Sequence, residues 1–246
     1  MLSTGEGTRD YFDRVPLKWD ALYSRDNRLS YAFSRLFRRA IFERFELTFA
    51  HCGDVSGATV LDIGCGTGQY AVQFALKGAD RVVGIDFSQS MIDFSRDMAR
   101  RKGVSGHCEF RCADFADVSL EERFDIVVAV GFFDYIEDAG TVFKKIGALT
   151  RRRFLASFPR SSPFWRVQRA IRYGWFKGCR VSDYAPQELE DLCGQATFET
   201  WRILPLTRGL FLVAEHDEEP ERPTREGADQ RQMAEHSQTN GRAPRF

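Results

Sequence analysis

A doubly wound α/β fold, built on a seven-stranded and mostly parallel sheet, is predicted by three features. A strand runs into closely spaced glycines and then a helix between Thr59 and Leu76. From there to about residue 195, short apolar runs alternate with helix-like stretches, which is the pattern of parallel strands joined by crossover helices. Two further β-like runs, 197–204 and 209–215, close the chain as an antiparallel pair.

The first feature is Val60-Leu61-Asp62-Ile63-Gly64-Cys65-Gly66-Thr67-Gly68-Gln69-Tyr70. Thr59 to Leu61 and Ile63 form a buried strand, and Gln69 to Leu76 form a helix. Strand, turn and helix place unpaired N–H groups and the positive end of a helix dipole at the strand's carboxyl end. Gly64, Gly66 and Gly68 have no Cβ, so a ligand can lie directly on the main chain. In a dinucleotide fingerprint the glycines run G-x-G-x-x-G. Here the third glycine comes one residue early and Asp62 stands two before the first, an arrangement better suited to a cationic ligand than to a pyrophosphate. The fold is thus Rossmann-like, with the fingerprint altered.

Asp62-x-Gly64-x-Gly66-x-Gly68 resembles the first motif of class I S-adenosylmethionine-dependent methyltransferases. The cofactor that this resemblance implies is S-adenosylmethionine, which carries an ammonium and a sulfonium and no phosphate. Next, Arg81 to Asp86 forms a strand ending in an acid 22 positions after Gly64. Such folds use an acid at this distance to accept hydrogen bonds from ribose hydroxyls. Phe87 can lie against an adenine face. Ser88 is a suitable N-cap for a helix over 89–102, with Met91, Ile92, Phe94, Ser95 and Met98 facing inward.

A third strand over 106–111 leads to Asp114-Phe115, where the family places an acid for the adenine amino group and a neighbour packed on the ring. Asp117 competes for the acid's role. Phe124 to Val130 is a central strand, apolar on both faces. Asp125 at its start reads as structural, and Val130 at its end as a cofactor contact. The strand opens into Gly131-Phe132-Phe133-Asp134-Tyr135, facing the transferring methyl group. Asp134 and Tyr135 are the catalytic candidates, set against a loop or helix-cap role for the acid. The segment differs from the Asn/Asp-Pro-Pro-Tyr/Phe motif of enzymes that methylate nucleic-acid amino groups. A helix over 139–149, a strand over 153–158 and a helix over 186–193, with Pro186 at its start and Gly194 after its end, complete the domain at 55–215.

Three flanking regions are less regular. Residues 1–54 are rich in aromatics and arginine. The stretch from Tyr11 to Tyr23 is expected to cover cofactor and substrate as a helical lid, and Phe42, Phe45 and Phe49 to pack on the domain. Tyr11-Phe12-Asp13 and Trp19-Asp20 resemble the opening segment of small-molecule methyltransferases of the magnesium-protoporphyrin and ubiquinone/menaquinone types. The insertion at 159–184 interleaves Arg160, Arg166, Arg169, Arg172, Lys177 and Arg180 with Phe164, Trp165, Tyr173, Trp175 and Phe176. It reads either as a surface helix with inward aromatics or as a cap for a flat or lipidic anionic acceptor, with peripheral membrane contact through 160–180. Residues 216–246 are polar, hold several glycines and prolines, and are expected to be disordered.

Composition narrows the function. A formal net charge of zero gives no global basic field for nucleic acid. No apolar run reaches membrane-spanning length and the first 35 residues show no secretory signal. Cys52, Cys65, Cys108, Cys112, Cys179 and Cys193 form no CxxC pair, so reduced thiols in a cytoplasmic protein are expected and a metal site is not. The expected activity is methyl transfer to a small molecule, with no obligate protein partner. A nucleic-acid methyltransferase is disfavoured by this zero charge and by the Gly131 to Tyr135 segment, and two further alternatives remain. One is a nicotinamide-dependent oxidoreductase, disfavoured by the glycine spacing. The other is a non-catalytic binding module, disfavoured by intact acids at 62, 86 and 114.

Overall fold

The computed structural model describes residues 31–136, 138–159 and 183–217. The opening segment up to residue 30, most of the 159–184 insertion and the tail beyond 217 lie outside the described residues, and with them the lid, cap and tail expectations.

The elements run α1 (Tyr31–His51), β1 (Thr59–Ile63), α2 (Gln69–Leu76), β2 (Arg81–Asp86), α3 (Gln89–Arg101), β3 (Cys108–Cys112) and β4 (Phe124–Ala129). A 3-10 turn (Phe133–Tyr135), α4 (Ala139–Leu149), β5 (Thr150–Phe158), α5 (Pro186–Gln195), β6 (Thr200–Leu206) and β7 (Gly209–Glu215) follow. The seven strands stand in the order β3-β2-β1-β4-β5-β7-β6. The first five pair in parallel, and β7 runs antiparallel to both its neighbours, β5 and β6. The doubly wound sheet is therefore as expected.

Alternation along each strand feeds two cores. Leu61, Ile63, Val83, Ile85, Val127 and Phe154 point to one face, under α4 and α5. Val60, Val82, Ile126, Val128 and Leu155 point to the other, under α2 and α3, with Phe45 and Phe49 of α1 packed against them. β4 is buried along its whole length, as a central parallel strand must be.

Several boundaries shift for physical reasons. α5 runs through Gly194 to Gln195, and the left-handed residue that stops it is Thr197, at φ 63. Phe198 N–H then donates to the Cys193 carbonyl, so β6 begins at Thr200 and not at 197. β5 starts earlier than expected, at Thr150, whose hydroxyl donates to the Ile146 carbonyl. Ser88 caps α3 as expected, but Ala99 joins its buried face and Phe94 is only half-buried. Pro205 lies in β6, an edge strand, where a missing N–H is tolerated. Among the described residues, no helix is long and apolar enough to cross a membrane.

Asp125 is structural. Its Oδ2 accepts from the Thr59 N–H and from the Thr59 hydroxyl, both at 2.8 Å, and the Thr59 hydroxyl accepts from the Asp125 N–H. This ties the first residue of β1 to the start of β4. Asp125→Ala leaves the Thr59 N–H without its acceptor, and the expected loss is about 2 kcal/mol. Urea unfolding checks it through a lower midpoint at an unchanged slope.

Candidate functional site

The cavity opens at the carboxyl ends of β1, β2, β3 and β4. Sequential connections leave β1 for β2 on one side and reach β4 on the other, so the strand order reverses there, where open α/β sheets bind ligands. Counted with its mouth and the open solvent there, the space measures about 1170 Å³.

Its floor is the glycine turn. Gly64, Gly66 and Gly68 all take left-handed φ values, 69°, 52° and 81°. The N–H groups of Gly64 and Cys65 both donate to the Ile85 carbonyl, at 2.8 and 3.0 Å, which anchors the turn to β2. A Cβ on Gly66 would meet nothing within 4 Å, so this backbone lies open as a cradle. Gly68 serves a different end. A Cβ there would sit 2.6 Å from the Ser95 Cβ, and its absence lets α2 approach α3.

Asp62 and Gly68 do not line the cavity; the other ten sequence candidates do. Asp62 lies behind the turn, 2% exposed, and its Oδ2 accepts from the Ala71 N–H at 3.1 Å. It thereby satisfies a first-turn donor of α2 that Gly68 cannot reach. Burial pushes its carboxyl up to about 7, against the pull of that hydrogen bond, with Asp86 adding repulsion. Cys65 is buried at the cavity wall and its thiol is held well above the usual range by burial and by the charges of Asp86 and Asp62. It is a packing group and not a nucleophile.

Asp86 is the hub of the polar wall. Oδ2 accepts from the Gly66 N–H and Oδ1 from the Ser88 N–H, each at 2.9 Å. Both oxygens are thus held by main-chain donors at the edge of the cavity that Asp86 lines. Asp114 follows β3, its Oδ1 accepting from the Ala116 N–H and its carbonyl from Asp117 and Val118. Asp117, the competing acid, is exposed and does not line the cavity. Phe115 presents an aromatic face beside it.

The opposite wall comes from Val130 to Ile136. Phe133 is fully buried and stacks on Phe158 at 4.6 Å, which fixes the 3-10 turn and sets its neighbours Phe132, Asp134 and Tyr135 around the cavity. The Gly131 N–H donates to the buried Ser157 hydroxyl at 2.9 Å. The cap of α4 is Asp138, which accepts from the Thr141 N–H; Asp134 is not a helix cap.

Sequence reasoning missed the roof. Ile41 and Arg44 of α1 line the cavity, as do Tyr70, Met91 and Phe132. α1 is seated by Phe45 and Phe49 against Tyr70 and by Glu43, whose carboxylate accepts from the Thr207 N–H. The Arg44 Nε is buried without a hydrogen-bond partner, and its Nη1 lies 3.8 Å from where a Gly131 Cβ would be. A buried donor left unmet in the protein points to an anionic group on a ligand. Arg44 is one of four arginines in α1, with Arg35, Arg38 and Arg39, so nothing in the sequence singled it out.

The cavity thus combines an open main-chain cradle, carboxylate acceptors for hydroxyl or amino groups, aromatic faces and one guanidinium. These fit a ligand made of a purine, a ribose and an amino acid. A family profile described as a methyltransferase domain matches residues 54–169. The magnesium-protoporphyrin O-methyltransferase of Rhodobacter capsulatus is 33% identical over 210 residues, covering 82% of this chain and 90% of that protein. The ubiquinone biosynthesis O-methyltransferase of Bradyrhizobium diazoefficiens is 32% identical over 114 residues, covering 46% of this chain and 44% of its own length. Among solved structures, the magnesium protoporphyrin IX methyltransferase of Synechocystis PCC 6803 with bound S-adenosylhomocysteine gives a TM-score of 0.70. Its identity is 22%, and the match covers 85% of this chain and 98% of that one.

Asp62 generates a pH prediction. Its folded pKa, about 7, stands above the ordinary aspartate value of 3.8, so folding binds a proton between the two. The stability that this contributes is present below pH 3.8 and is lost as pH rises through 7. Asp62→Asn keeps an acceptor for Ala71 and cannot ionise. Relative to wild type it should gain stability from pH 5 to pH 8, by up to about 3 kcal/mol in urea unfolding. An equal difference at both pH values would show that Asp62 does not titrate there.

Proposed function

The chain belongs to the S-adenosylmethionine-dependent methyltransferases, and we propose that its acceptor is a planar, negatively charged small molecule methylated on oxygen. The observation that carries this reading is the reach of the similarity. The match to the Rhodobacter capsulatus enzyme extends over nearly all of both chains, whereas the match to the ubiquinone enzyme stops at less than half of each. A 210-residue match is too long for the cofactor half alone, whereas a 114-residue match is not, and an acceptor must sit beyond that half.

S-adenosylmethionine supplies a methyl group made electrophilic by a sulfonium. In our reading the chain contributes binding and alignment. The Gly64 to Gly66 backbone, with Cys65 in the wall and Asp62 and Gly68 behind it, receives the amino-acid part. Val130 offers its backbone beside that part, and Arg44 takes the carboxylate. Asp86 accepts from the ribose, Asp114 from the adenine amino group, and Phe87 and Phe115 pack on the ring. Alignment of an acceptor oxygen with the methyl, in a pocket closed to water by Ile41 and Phe132, supplies the rate enhancement.

Among the described residues lining the cavity there is no histidine. An acceptor carboxylate arrives already ionised and needs no base, which fits such a site. Asp134 and Tyr135 then orient the acceptor without removing its proton. The arginines of 159–184, outside the described residues, supply its counter-charge.

Four outcomes test these roles. Calorimetry should give micromolar binding of S-adenosylmethionine and S-adenosylhomocysteine and none of NAD. Arg44→Met should weaken S-adenosylhomocysteine by about tenfold or more, as loss of a buried charged pair predicts, and leave adenosine unchanged. Asp134→Asn should lower turnover of magnesium-protoporphyrin by no more than about tenfold at every pH. A loss on the order of 10²-fold, with wild-type turnover rising with pH, would instead make Asp134 the base for a hydroxyl acceptor. Arg166→Glu with Arg169→Glu should raise acceptor KM and leave cofactor affinity alone; an unmoved KM removes the cap.

A further inference from the structure

Asp114 and Phe115 do not stand on a strand. They open a single helical turn, in which the Asp117 and Val118 N–H groups donate to the Asp114 carbonyl. A turn this short leaves its later carbonyls without intrahelical partners. Here three of them converge on one cation. Lys145, reaching over from α4, donates from Nζ to the carbonyls of Phe115, Ala116 and Val118. An ammonium has three N–H donors, and this geometry uses all three. The same Nζ lies 4.6 Å from the centroid of the Phe115 ring, within cation–π range.

The environment explains why a lysine can be committed in this way. Its side chain is half-buried against the turn, and burial lowers its pKa while the carboxylates of Asp117 and Asp114 favour its charge. Phe115 itself is 3% exposed, held edge-on to Phe132 at 6.1 Å on the cavity side. The ring and the acid therefore depend on a contact made outside the cavity, by a residue that does not line it.

We infer that Lys145 is a positioning residue for the purine subsite, fixing the Asp114–Phe115 turn from behind; this rests on the reading that those two residues receive adenine. The effect should be confined to one end of the cofactor. The glycine cradle and Arg44, at the amino-acid end, are held by β2 and α1 and have no contact with this lysine in the hydrogen-bond network above. The acceptor side is held by Phe133 in the other wall.

The test uses the full-length chain, with calorimetric binding of S-adenosylhomocysteine and of adenosine. Lys145→Met should weaken both by about tenfold, the size expected when charge-assisted hydrogen bonds that order a site are lost. Acceptor KM, and kcat at saturating S-adenosylmethionine, should move by less than about threefold, a split that general loosening of the fold would not produce. Lys145→Arg keeps a charge with several donors and should stay within about threefold of wild type. If Lys145→Met does not fold, Lys145→Gln, with two donors and no charge, should show the same split at a smaller size. Unchanged adenosine affinity in the folded variant, or an arginine variant as weak as the methionine one, overturns the inference. Asp114→Ala, which removes the side-chain acceptor, separates the two levels. If it leaves both affinities intact, the adenine reading fails; if it weakens them and Lys145→Met does not, only the role of Lys145 fails.

Discussion

The cavity depends on a tie between backbone and backbone. The Ile85 carbonyl accepts from both Gly64 and Cys65, and the next residue, Asp86, accepts from Gly66 and Ser88. One strand end therefore holds the turn after β1 and the loop that starts α3. Without it, three left-handed glycines within five residues would be a floppy segment, since glycine loses more conformational freedom on folding than any other residue. With it, they are a fixed surface. Gly84, earlier in the same strand, completes the arrangement: a Cβ there would lie 2.7 Å from the Phe110 ring and 3.0 Å from the Cys65 sulfur.

The facing wall is held by a different force. Val130 to Ile136 is positioned by burial of Phe133 in a cluster with Phe143, Phe154, Phe158 and Tyr184. Each core thus supports one side. Hydrogen bonds to β2 set the polar wall, and aromatic packing under α4 and α5 sets the wall facing it. Such a division lets the two sides vary independently, which suits a fold that keeps one cofactor and changes substrates.

Much of this was legible in the sequence because the cofactor half is built from local segments. The strand-glycine-helix run, the acid ending β2 and Asp114-Phe115 each carry their signal within a few residues. Asp62 was expected to face a cationic ligand, but its partner, Ala71, belongs to the helix beyond the loop, so its place behind the turn was invisible. Arg44 could not be found, because its position depends on where α1 docks, and that is fixed by Phe45, Phe49 and Glu43 meeting Tyr70 and the β6–β7 turn. The end of α5 was misjudged for a related reason. Gly194 is a strong stop signal, yet Phe198 packs face to face with Phe154 at 5.8 Å, and that packing carries the helix on to a left-handed Thr197.

The placement of Pro205 has a consequence for how the sheet meets other chains. Every parallel sheet ends in two rows of unused backbone groups, and a row of that kind invites a second molecule to add a strand. At one border, β6 carries a proline that cannot donate. At the other, β3 is only five residues long and alternates Glu109 and Arg111 with its apolar positions. Both borders are therefore poor templates for edge-to-edge growth. The sheet terminates itself, and a crowded solution of this protein is protected from ribbon-like association by three side chains.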